Sequence, residues 1–120
     1  YGVHLDTLET QTYEGKKGMA NIQKIMRDLR HSPPEKVAGQ LVVKITDYLE
    51  NKIVCGNKTS QGPGLPLSNV IALQLEDNSR ITVRPSGTEP KIKYYFNLHG
   101  NNHELLSKQL ISIQSDFFKE

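Results

Sequence analysis

The alternation at residues 91–98 constrains this chain more than any other feature: Ile92, Tyr94, Phe96 and Leu98 interleave with Lys91, Lys93, Tyr95 and Asn97. Successive side chains of a strand point to opposite faces, so this run predicts a strand with one face on an apolar core and the other free for water or a ligand. A sheet with one apolar face needs elements to cover it. Two segments supply them. Met19, Ile22, Met26 and Leu29 recur at threes and fours after Glu14, and Leu106, Leu110, Ile113 and Phe117 repeat the pattern near the end, so both segments predict amphipathic helices. The first stops near His31, because Ser32 precedes Pro33 and Pro34 and a residue before proline is pushed out of helical geometry. Arg27, Arg30 and His31 in its last turns suit the negative end of the helix dipole. Asn101 or Asn102 is the expected N-cap of the second helix.

Three more strands follow from the same period of two. Leu41, Val43 and Ile45 alternate with Val42, Lys44 and Thr46, and Gly39 turns the chain into them. Ile71, Leu73 and Leu75 alternate up to Glu76, and Ile81 and Val83 alternate beyond Ser79, which predicts a hairpin with an Asp77-Asn78 turn. Residues 50–69 carry Gly56, Gly62, Pro63, Gly64 and Pro66 and read as one long loop, a length that points to function or disorder. Residues 1–13 are polar and lack helical periodicity, with Leu8 to Tyr13 expected as one edge strand or a connection from a preceding domain; residues 14–120 form one domain. The expected fold class is α+β: a mostly antiparallel four-stranded sheet with two helices covering one face. The chain opens on Tyr1 and not on methionine, which leads us to expect an excerpt from a longer protein.

Charge and cysteine content remove several function classes. Fifteen basic residues against 13 acidic ones, a net charge of +2, fall far short of the basic excess of a nucleic-acid binder. No apolar run reaches the roughly 18 residues of a membrane-spanning helix. The single Cys55 has no internal partner and no secretory leader is visible, so a reducing cytoplasm is expected. His4, His31, His99 and His103 fall in different elements without ligand spacing, so no metal site is expected, and Lys16 and Lys17 read as a solvated helix face. Tyr95 alone of the Tyr94-Tyr95 pair faces outward, weak support for RNA stacking.

The chemistry is concentrated in Arg84-Pro85-Ser86-Gly87-Thr88-Glu89-Pro90, followed by Lys91-Ile92-Lys93. Arginine offers a planar fork of donors, Ser86 and Thr88 add hydroxyls, and Gly87 lets main-chain N–H groups come close; together they suit a doubly charged oxyanion. Pro85 and Pro90 stiffen the loop and reduce the entropy lost on binding. The plainer reading is a hairpin turn with solvated charges.

The string RPSGTEPKIKYY resembles the signature of the last domain of the phosphohexomutases, the family of phosphoglucomutases, phosphomannomutases and related sugar-phosphate mutases. The Met26–Arg30 segment, the Pro33-Pro34 break and Leu65-Pro66-Leu67-Ser68-Asn69 resemble the same domain, so the likeness covers nearly the whole chain. The resemblance implies a fold similar to that of the TATA-box-binding protein. It also implies that Arg84, Ser86, the Gly87 backbone and Thr88 grip the phosphate that is not transferred when a 1-phospho sugar and a 6-phospho sugar interconvert, with Lys93 adding charge. Many relatives have arginine where Lys93 stands, so the charge is kept and the bidentate grip is not. Glu89 is expected to hold the loop's shape, since a carboxylate beside a phosphate repels it. The phosphorylated serine, the Mg²⁺ loop and the sugar-reading residues of the family have no counterpart motifs in this sequence, so no catalytic residue is expected in the chain itself. Its expected partners are the sugar phosphate and N-terminal domains of the same protein, with no nucleic acid and no membrane. A reading from a different class is a free-standing anion or nucleic-acid binding module.

Overall fold

The two ten-residue strands of the sheet come from opposite ends of the sequence and lie side by side. In chain order the elements are β1 (Val3–Thr12), α1 (Gly18–His31), β2 (Lys36–Val37), β3 (Gln40–Asp47), β4 (Lys52–Cys55), β5 (Lys58–Gln61), β6 (Ile71–Leu75), β7 (Arg80–Pro85), β8 (Lys91–Gly100) and α2 (His103–Phe117). This computed structural model describes residues 3–13, 17–55, 58–62, 64, 68–86, 89–100 and 102–117, and only the backbone of Val3 and Phe117. The strands pair antiparallel in the order β1-β8-β7-β6-β3-β4-β5, with β2 also paired to β3.

The sheet has eight strands where the alternation predicted four. β3, β6, β7 and β8 are the four predicted ones. β1 is an edge strand, paired with β8 at every position from Val3 with Gly100 to Thr12 with Lys91. The segment read as one loop contains the β4–β5 hairpin, with Lys52 opposite Gln61 and Cys55 opposite Lys58. All four side chains of β5 are exposed, so no buried face left a mark on its sequence. β2 is only two residues long and exists because Ala38 and Gly39, with φ of 51° and 80°, make a tight turn between Val37 and Gln40. Positive φ at both central residues matches the twist of antiparallel strands.

Both helices pack on one face of the sheet. Ile22 and Met26 of α1 and Leu106 and Ile113 of α2 share a single buried cluster with Leu73, Ile81, Val83, Ile92, Phe96 and Leu98. Each such side chain contributes roughly 1.5–3 kcal/mol by leaving water. The other face of β7 and β8 carries Arg84, Thr82 and Arg80 beside Lys93, Tyr95 and Asn97. None of these six belongs to the core cluster, so that side is open.

The ends of α1 are held by different means. At its start Gly18 lies against the Tyr13 carbonyl oxygen, where a Cβ would overlap it and come within 3.0 Å of the Pro90 Cβ. Only glycine allows this close approach of the helix to β1 and to the β7–β8 loop. At its far end Arg30 Nε donates to Asp47 Oδ2 at 2.8 Å and Arg30 Nη2 donates to Asn69 Oδ1 at 2.8 Å. The N–H groups of Leu49 and Glu50 donate to the other oxygen, Asp47 Oδ1, at 3.0 and 3.2 Å. Burial pushes the Asp47 carboxyl up from its ordinary 3.8, but the Arg30 hydrogen bond and charge and the two backbone donors outweigh it and hold it below. The helix closes at Ser32, whose N–H donates to the Asp28 carbonyl at 2.7 Å.

The second helix and the β6–β7 turn are also closed internally. Asn102 is the N-cap of α2: its Oδ1 accepts from the N–H groups of Glu104 and Leu105 at 2.8 and 3.2 Å. The other N-cap candidate, Asn101, lies outside the described residues. In the β6–β7 turn Asn78 has φ of 70°, and Asp77 accepts from the Ser79 N–H, from Gln40 and from Gln109.

Candidate functional site

A hairpin places like charges across from each other only at some cost, and the β7–β8 hairpin does so. Arg84 and Lys93 are direct cross-strand partners on the helix-free face. Like charges directly opposite one another destabilise a strand pair. Among the described residues neither side chain has an ion pair or a hydrogen bond. Arg30, Arg80 and Lys91, by contrast, each have a partner in the chain: Asp47, the Tyr48 hydroxyl and Glu89.

Arg84 and Lys93 open into a pocket of ≈ 370 Å³ lined by these two residues together with Pro85, Ser86, Glu89, Lys91 and Tyr95. Three cations face one carboxylate there, and Glu89 is already engaged with Lys91 at 3.0 Å. Both of those side chains are well exposed, so the contact adds little to stability. It does turn the Glu89 carboxylate toward a lysine. The pocket is left with the positive charge of Arg84 and Lys93.

The shoulders of the loop are fixed by backbone. The Ser86 N–H donates to the Lys91 carbonyl at 2.9 Å, the Lys91 N–H to the Glu89 carbonyl at 2.7 Å, and the Tyr13 N–H to the Pro90 carbonyl at 2.8 Å. Pro90 also packs against Gly18 at the start of α1. Thus β1 and α1 both buttress the downstream shoulder.

Of the five residues expected to bind phosphate, the structure brings Arg84, Ser86 and Lys93 to one pocket. Gly87 and Thr88 lie outside the described residues. Sequence reasoning passed over Tyr95 and Pro85 as pocket walls; the outward phase of Tyr95 in the strand was the available signal. It also missed the pairing of His4 with His99, which face each other across β1 and β8 with ring centroids 4.3 Å apart and planes at 80°. Residues distant in sequence carry no spacing signal for such a contact.

A larger groove of ≈ 1040 Å³ lies on the helix side, and its lining includes Tyr13, Lys24, Asp28, Lys36, Tyr94 and Asp116. Its charges balance, two lysines against two aspartates, and none of its described lining residues belongs to the 84–93 segment. Size therefore does not decide between the pockets; unneutralised charge does. Among the described residues no group of three or more His, Cys, Asp or Glu is placed to hold a metal ion, and no helix is long and apolar enough to cross a membrane.

Comparison with known proteins bears on the same segment. Residues 12–105 match the family described as phosphoglucomutase/phosphomannomutase, C-terminal domain. A phosphoglucomutase from one strain of Staphylococcus aureus is 39% identical over 110 residues, covering 91% of this chain and 20% of that protein. A phosphoglucomutase from another strain of the same species is 44% identical over 98 residues, covering 81% of this chain and 18% of that protein. The chain thus spans about a fifth of the length of these relatives.

Proposed function

Because this chain belongs to the phosphoglucomutase/phosphomannomutase family as its C-terminal domain, we propose that it grips the non-transferred phosphate of a sugar phosphate during 1-phospho/6-phospho interconversion. The observation that carries the reading is the pair Arg84 and Lys93, cross-strand neighbours with no anionic partner among the described residues. A phosphate dianion between them would remove their repulsion and give each a charge-assisted partner. Ser86 supplies a hydroxyl from the upstream shoulder, and Gly87 and Thr88 complete the set by the family pattern.

In this reading the parent protein is an isomerase, an intramolecular phosphotransferase of carbohydrate metabolism working in the cytoplasm, and this domain contributes position. Holding one phosphate fixes the sugar while its other end reacts. The resemblance implies Mg²⁺ in the whole enzyme, supplying charge to the transferred phosphoryl group. The pocket does not suit that ion: Arg84, Lys91 and Lys93 repel a cation and Glu89 is paired with Lys91. We also carry forward the likeness to the TATA-box-binding-protein fold, supported by an antiparallel sheet with both helices on one face.

Titration of the isotope-labelled chain with inorganic phosphate tests the reading. The affinity expected is no tighter than about millimolar, near −4 kcal/mol, because a few hydrogen bonds worth roughly 1.5–3 kcal/mol each must offset ordering of an exposed loop. Amide shifts should centre on residues 84–93; shifts confined to the helices would refute it. The chain alone should not turn over glucose 1-phosphate. In the intact enzyme Arg84→Ala should lower kcat as well as raise KM, since closure on this phosphate aligns the sugar for reaction.

A further inference from the structure

Tyr94 and Tyr95 are consecutive residues with opposite fates. Tyr94 is 3% exposed within the core, and burial first, then neighbouring Tyr13 and Glu9, raises its phenol well above the ordinary 10.0. Tyr95 points to the helix-free face, half-buried, with Thr82 on one side and Leu8 on the other. It lines the anion pocket one cross-strand row away from Arg84 and Lys93. Among the described residues its hydroxyl has no hydrogen-bond partner in the chain.

The pocket offers more than a charge. At ≈ 370 Å³ it exceeds what one tetrahedral oxyanion fills, and it falls in the range of about 300–1,000 Å³ typical of sites for whole small molecules. Its cationic part holds any phosphate equally, because a Coulombic grip does not see what the phosphate is attached to. Discrimination has to come from a wall that is neutral and partly apolar. Among the described lining residues Tyr95 and Pro85 have that character. A tyrosine offers a ring for packing against C–H groups and a hydroxyl for a polar neighbour, with few rotatable bonds to order.

We propose that Tyr95 contacts the carbon skeleton esterified to the phosphate, so that the pocket selects polyol phosphate monoesters over inorganic phosphate. The proposal rests on the phosphate reading of the pocket and makes Tyr95 its specificity-determining residue. Arg84 and Lys93 hold the dianion; Tyr95 reads the ester.

The test compares inorganic phosphate with glucose 6-phosphate on the chain, following the amides of β8 by NMR. The unaltered chain should favour the ester by about fivefold, the scale of one aromatic contact. Tyr95→Ala should erase that preference while leaving affinity for inorganic phosphate within about twofold. Tyr95→Phe should keep most of the preference, because the ring remains. If Tyr95→Ala fails to fold, Tyr95→Thr serves, since threonine suits a half-buried strand position. Equal weakening of both ligands would mean that Tyr95 only supports the loop, and an unchanged preference would place the sugar elsewhere; either result overturns the proposal. Absence of any shift at residues 84–93 with inorganic phosphate would instead remove the phosphate reading and this one with it. Phosphate binding there with no dependence on Tyr95 would remove this one alone.

Discussion

The far end of α1 and the β7–β8 loop each depend on one arginine, and the chain treats the two in opposite ways. Arg30 is 10% exposed and its fork is occupied by Asp47 and Asn69. Arg84 is exposed, faces Lys93, and has no partner among the described residues. One guanidinium ties a helix to a sheet. The other, in the function proposed above, meets an anion from outside. The same side chain is thus a structural tie or a binding group according to whether the fold provides its carboxylate.

Substitution of the two arginines separates these roles, and the largest effect should fall on Arg30. Arg30→Ala leaves Asp47 buried without its counter-charge and should lower unfolding free energy by about 3–5 kcal/mol, read from the urea midpoint. Phosphate affinity of the folded fraction should not change. A loss under about 1 kcal/mol would show that Asp47 is satisfied by the backbone N–H groups alone.

Arg84→Ala should do the reverse. Phosphate affinity should fall by about tenfold or more, the worth of one charge-assisted contact. Stability should stay within about 0.5 kcal/mol of the unaltered chain, because no side-chain hydrogen bond or ion pair among the described residues is lost and a repulsion with Lys93 is removed. A midpoint that drops as far as that of Arg30→Ala would erase the distinction between the two sites.

Acid should also divide them. The Asp47 carboxyl is held below 3.8 in the folded chain, so its contribution to stability is present above that pH and is lost as pH falls through and below it. The stability gap between the unaltered chain and Arg30→Ala should therefore narrow only below about pH 4. Binding at Arg84 should weaken earlier, by about threefold between pH 7.5 and pH 5, as a phosphate ester with a second pKa near 6 takes up a proton. A common pH midpoint for stability and binding would contradict this separation. The smallest effect is expected from Lys93→Arg, which restores a forked donor opposite Arg84 and should tighten phosphate binding about two- to threefold. Weaker binding in that variant would mean that the pocket is fitted to a lysine.

How far this contrast is legible in the sequence depends on how local its causes are. The strand carrying Tyr94 and Phe96, the helix carrying Ile22 and Met26, and the grouping of Arg84, Ser86 and Lys93 follow from periodicity and short-range spacing. β5 was hidden because all its side chains are exposed, and β2 because two residues have no period. Arg84 stands out in sequence by its Pro-Ser-Gly-Thr neighbours, whereas Arg30 reads only as a complement to the helix dipole. Its pairing with Asp47 of β3 and with Asn69, which lies between β5 and β6, joins segments distant in sequence and appears only once the chain is folded. The wall formed by Tyr95 was hidden for a related reason. Its outward phase was readable, but its place beside Arg84 depends on the register of β7 against β8.

The pairing of β1 with β8 has a kinetic consequence. The first strand of the chain finds its place against the last one along its full length, from Val3 with Gly100 to Thr12 with Lys91. Contacts between residues so far apart in sequence raise the contact order and slow the search for the native state. The β7–β8 hairpin is local and can form early, but its downstream shoulder is anchored by Tyr13, the residue just after β1. During synthesis β1 leaves the ribosome long before β8 exists and must stay unpaired without aggregating, a demand met by the threonines and charged side chains along it. Any truncation that removes β8 therefore costs more than its own ten residues: it strands β1 as well, and β7, which bears Arg84, loses its hairpin partner.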